Sequence, residues 1–145
     1  MNRDFYHARL DRLLEDYLAD CEKLERARKP TEMFGLKFGA PTDPRHDRFL
    51  EDMGDFLGDF AAEGPDSAAV RELLERLYSL PLRHPEPKSA YWMLVAVQGL
   101  TRELISRLGR EDAAALLRSY ECAWPRRMRL PVQTELVKLL HTAAK

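Results

Sequence analysis

Residues 46 to 63 read HDRFLEDMGDFLGDFAAE and carry six carboxylates: Asp47, Glu51, Asp52, Asp55, Asp59 and Glu63. Carboxylates in that number could act as general acids or hold Ca2+ or Mg2+. An acid catalyst needs a raised pKa, which takes burial or a close like charge. A hard cation such as Ca2+ needs six or more oxygens arranged around it. Helical spacing supplies neither. At about 100° per residue, Phe49, Leu50, Met53, Phe56, Leu57 and Phe60 share one arc of roughly 120°, and the acids fall on the opposite side. The pattern predicts an outward acidic face centred on Glu51, Asp52, Asp55 and Asp59, with no metal. Like charges at i,i+4 are mildly destabilising, so a basic partner would relieve them. Gly54 and Gly58 lie at one edge of the apolar arc. They weaken a helix, and the expected return is close approach of another helix.

The histidines offer little more. Asp4-x-x-His7 and Asp43-x-x-His46 have the spacing of the Glu-x-x-His ligands in carboxylate-bridged di-metal bundles. Both use the shorter Asp and both sit at helix starts. His84, in a proline-rich connector, and His141, near the C-terminus, read as surface residues. The chain holds no GxSxG, HExxH, P-loop or dinucleotide fingerprint. The expectation is therefore no catalytic residue and no cofactor. Cys21 and Cys122 lie far apart, without a CxxC or a Cys/His cluster, and each sits among apolar residues at helical spacing. They read as two buried, reduced thiols of a cytosolic protein.

Two stretches suit recognition rather than catalysis. WPRRMRLP, residues 124 to 131, places Arg126, Arg127 and Arg129 on a tight break beside Trp124 and Met128. The planar guanidinium fork suits carboxylate or phosphate. From residue 102 to 145 there are nine Lys and Arg against five Asp and Glu, whereas from 43 to 63 there are two against seven. The two regions thus carry opposite charge. The plainest reading lets the arginines brace a helix C-terminus and pair with nearby acids. The functional reading gives them an acidic protein partner, a second copy of the chain included. Three arginines are few for a nucleic-acid interface, which makes nucleic acid the lesser alternative. The second stretch is TEMFGLKFGAPTDP, residues 31 to 44. Met33, Phe34, Leu36 and Phe38 make it too apolar for a solvated connector. It is expected to lid the core, to dock on a partner, or to roof a pocket for a small molecule or metal.

The elements that would hold these residues are helices. Strand-like alternation is almost absent. The first helix spans about 3 to 28, with Leu10, Leu13, Leu14, Tyr17, Leu18, Cys21 and Leu24 on one stripe. The second starts near Thr42 or Asp43, with Pro44 in its first turn, and ends at Gly64-Pro65. The third starts at Asp66 or Ser67 and stops before Pro81, leaving LPLRHPEPK as an extended connector. The fourth, about 89 to 108, is apolar almost all round in its first half and reads as the enclosed central helix. The fifth covers about 111 to 123, ended by Pro125, and the last begins at Pro131.

The chain is 45% hydrophobic and 32% charged, a globular balance rather than a disordered one. At 145 residues it is expected to form a single domain. A net charge of −1 gives no whole-molecule attraction to nucleic acid or to an acidic membrane. The N-terminus, MNRDFYHARLDRLLEDYL, has no apolar h-region and reads as no signal peptide. No apolar run is long enough for a membrane span. The expectation is an all-α, irregular helical bundle without catalytic activity, working in the cytoplasm through contact with another protein.

Overall fold

The computed structural model describes residues 2–27, 44–83 and 88–145. The connector residues Met33, Phe34, Leu36 and Phe38, the expected caps Thr42 and Asp43, and His84 lie outside the described residues. The fold is all-α: α1 (Arg3–Ala27), α2 (Pro44–Ala62), α3 (Ser67–Arg83), α4 (Lys88–Val97), a 3-10 turn (Gln98–Thr101), α5 (Arg102–Ile105), α6 (Arg110–Ala123), a second 3-10 turn (Arg126–Met128) and α7 (Pro131–Ala143). No helix among the described residues is long and apolar enough to cross a membrane.

Each long helix forms because its apolar residues recur every three or four positions. In α1, Tyr6, Leu10, Leu14, Tyr17 and Cys21 are buried; in α2, Phe49, Met53, Phe56, Leu57 and Phe60. These two faces close on each other. Tyr17 stacks on Phe49 with ring centroids 3.8 Å apart, and Tyr6 meets Phe60 edge-on at 5.5 Å. The helix ends are set locally. Gly64, at φ 66°, adopts the left-handed conformation that terminates a helix, and its N–H donates to the Ala61 carbonyl. The Asp66 carboxylate then accepts the Ala69 N–H at 2.8 Å and caps α3. At α7, Gln133 Oε1 reaches back to accept the Leu130 N–H at 2.9 Å.

A second group, α3, α6 and α7, packs through Leu73, Leu77, Leu116, Leu117, Leu136 and Leu140. The α4 segment touches α1, α2, α3 and α7 and so joins the two groups, as its apolar sequence predicts. Its continuity differs from the expectation. One helix over 89 to 108 is broken at Gln98 into α4, a 3-10 turn and α5. The cause is a buried polar cluster. Thr101 Oγ1 donates to the Gln98 carbonyl at 2.6 Å, an i−3 bond that suits a 3-10 turn and competes with the α-helical ladder. With that proton committed, Tyr78 must donate to Thr101 Oγ1 (2.6 Å), and Tyr120 donates to Gln98 Oε1 (2.6 Å). Gly99 sits where a Cβ would stand 3.3 Å from Val132 of α7, so its bare backbone lets α7 close on the turn.

Three further expectations are corrected. Pro81 does not stop α3, which runs on to Arg83. Within the last turn a missing N–H frees a single carbonyl beside a helix end, a smaller loss than at mid-helix. Gly54 and Gly58 are exposed, and a Cβ at either would meet none of the described residues within 4 Å. Cys122 is exposed on α6 while Cys21 is buried on α1, and neither is bridged.

Candidate functional site

Trp124 is the residue around which the candidate surface is built. Helix α6 must stop there because Pro125 has no N–H to continue it. The Trp124 N–H still donates to the Tyr120 carbonyl at 2.9 Å, which turns the indole inward. The ring is only 1% exposed. Its Nε1–H points at the Tyr78 carbonyl of α3 (3.4 Å), and its ring lies 6.2 Å from that of Tyr91 on α4. The end of α3, the start of α4 and the break after α6 therefore converge on one buried indole. Sequence spacing offers Trp124 as part of an exposed recognition stretch; the fold buries it.

The arginines divide. Arg129 is structural: Nε donates to the Trp124 carbonyl at 2.8 Å, its side chain is 10% exposed, and it approaches Glu121 at 3.8 Å. That is the helix-end bracing anticipated for the cluster. Arg126 and Arg127 stand exposed on the second 3-10 turn and pair with no acid among the described residues. Met128, between them and Arg129, is 50% exposed.

Two further exposed apolar residues, which the spacing did not single out, lie on the helices that meet at Trp124. Leu82, one turn beyond Tyr78 on α3, is 42% exposed, and Trp92, next to Tyr91 on α4, is 55% exposed. The rings of Tyr91 and Trp92 meet edge-on at 6.2 Å. Arg83 ends α3, exposed. Three large apolar side chains and three guanidinium groups thus ride on elements that meet at Trp124. The recess beside it, between α3 and α6, has a volume of about 30 Å3 and borders Tyr78, Ser79, Ser119 and Tyr120. A space of that size holds one water, against several hundred Å3 for a small-molecule site.

The acidic face of α2 is where its periodicity puts it. Glu51, Asp52, Asp55 and Asp59 are all exposed. Asp59 is paired, its Oδ2 taking Arg9 of α1 at 2.8 Å, and that guanidinium carbon also lies 5.4 Å from the Phe56 ring centroid. Asp52 borders an open cleft of about 480 Å3 between α1 and α2, with Asp16, Asp20, Lys23 and Arg48. Among the described residues no group of three or more His, Cys, Asp or Glu is arranged to hold a metal.

His46, expected only as half of a weak metal spacing, is buried. Its Nδ1 lies 2.6 Å from the Tyr17 hydroxyl. Burial raises the Tyr17 pKa strongly, and its hydrogen bond to Cys21 adds to that. The phenol therefore keeps its proton and shares a hydrogen bond with the imidazole. The Cys21 thiol beside it is fully enclosed, so no substrate reaches it as a nucleophile. This group welds α1 to α2.

No family model, no curated protein and no solved structure matches the chain. The functional reading rests on this geometry.

Proposed function

We propose that the chain is a non-catalytic protein-interaction module whose docking surface is the Trp124 end of the bundle. The observation that carries this reading is the exposure of Leu82, Trp92 and Met128 around one buried anchor, beside Arg126 and Arg127, which have no acidic partner among the described residues. Covering apolar surface is worth about 25 cal/mol per Å2, so side chains of this size left open favour a partner. Exposed Trp and Arg are the residue types enriched among interface hot spots. Rigidity supports it further. Trp124, Tyr91 and Arg129 fix the surface from below, so little ordering entropy opposes docking. The unbridged cysteines fit a reducing compartment such as the cytosol.

The test is affinity capture from native lysate, comparing the wild type with Trp92→Ser/Met128→Ser, with Arg126→Ser/Arg127→Ser, and with Phe5→Ser as an exposed apolar control elsewhere. Circular dichroism first confirms that each variant is folded. A specific partner retained by the control and lost by both double variants supports the reading. A partner retained by all variants, or none captured by the wild type, removes it.

A further inference from the structure

We infer that this surface takes an acidic segment of a different protein chain, one whose bulky apolar side chains cover Leu82, Trp92 and Met128 while its carboxylates pair with Arg83, Arg126 and Arg127. The inference rests on the interaction reading and adds the partner's chemistry. Arg126 and Arg127 have no acidic neighbour among the described residues, whereas Arg129 has Glu121. A guanidinium beside apolar surface is partly dried when that surface is covered. A carboxylate then offers the charge-assisted, bidentate pair that a dried guanidinium needs. A basic segment would bring like charges together in the same dry space.

The chain's own acidic helix is a poor occupant. The outer face of α2 offers Glu51, Asp52 and Asp55 but flanks them with Gly54 and Gly58, which carry no side chain. Every large apolar residue of α2 from Phe49 to Phe60 points into its own core or is half-buried against it. A second copy docking by α2 could pair the arginines but could not cover Trp92, Leu82 or Met128. Nucleic acid fits less well. Phosphates would suit the arginines and Trp92 offers one stacking face, yet Leu82 and Met128 offer none, three arginines are few for a backbone-tracking stripe, and Glu121 is exposed on α6. The recess of about 30 Å3 beside Trp124 excludes a small-molecule ligand as the main occupant.

The experiment introduces p-benzoylphenylalanine at Trp92, at Met128 and, as a control, at Phe5, in the full chain exposed to native lysate. After irradiation, the cross-linked peptides are sequenced by mass spectrometry. The expected result is a segment of another protein, net acidic and bearing at least two large apolar residues, reached from both 92 and 128 and not from 5. Its yield should fall on the order of tenfold with Arg126→Glu/Arg127→Glu, or with the milder Arg126→Gln/Arg127→Gln if the first is unfolded. Cross-links to a neutral or basic segment would overturn the acidic chemistry and leave the interaction reading standing. So would adducts with residues 44–62 of a second copy, whereas adducts with nucleic acid in place of protein would remove both readings. No cross-link above the Phe5 control would remove both.

Discussion

Changing Tyr120 to Phe removes a single oxygen, yet that oxygen donates to Gln98 Oε1 in a buried cluster. The expected cost is about 1–3 kcal/mol, read as a lower urea midpoint, because a buried acceptor is left unmade. Gln98 belongs to the same buried cluster as Tyr78, Thr101 and Tyr120, so the acceptor left behind lies among groups that are already committed. Burial raises the phenol pKa of Tyr78 and Tyr120, as it does that of Tyr17. The sign follows from linkage. Folded-state values above the ordinary value of about 10 mean that the unfolded chain releases the proton first. The stability these phenols contribute is complete below pH about 10 and is lost as pH rises toward their folded-state values. Urea midpoints should be flat from neutrality to that pH and fall above it. The fall should be shallower in Tyr120→Phe. At this scale the outward acids were legible, since period alone decides which side of a helix faces water. Trp124 and His46 were not. Their burial is imposed by helices distant in the chain, and residue spacing carries no record of which neighbour closes over them.

At the scale of elements, α2 tests how far a helix can be read alone. Gly54 and Gly58 are exposed and mid-helix, and a methyl added at either would meet none of the described residues within 4 Å. Ala at either position should raise stability by about 0.5–1 kcal/mol, because it removes backbone freedom from the unfolded chain at no steric cost. Thermal melts of the single and double variants would check this; loss of stability would mean that something does approach that face. Helix ends at Gly64, Asp66, Pro125 and Pro131 were legible because their causes are local. The break at Gln98 and the passage through Pro81 were not. The first depends on Tyr78 and Tyr120 bonding across from α3 and α6, and the second on how near the proline falls to a helix end. A pattern that reads as one apolar helix therefore conceals a turn at Gln98 and an exposed Trp92.

At the scale of the whole molecule, the α4 segment joins the α1–α2 pair to the α3–α6–α7 group. Leu94 and Leu104, 1% and 3% exposed, lie on either side of its break. Leu94→Asp or Leu104→Asp places a carboxylate in the core without a partner and should abolish the cooperative unfolding transition seen by circular dichroism. A folded, fully helical variant would mean that the segment is not central. The docking surface proposed above lies at the Trp124 end, whereas α2 turns its acids to solvent. That claim is tested most directly by 19F NMR on the wild-type chain grown with 5-fluorotryptophan, whose two resonances report its two tryptophans. Trp92→Phe assigns them. In the free protein the Trp92 signal should show a solvent-isotope shift and the Trp124 signal none. When the captured partner is added, only the Trp92 signal should lose that shift. A Trp92 signal that is protected before the partner arrives, or unchanged after it binds, would contradict the account.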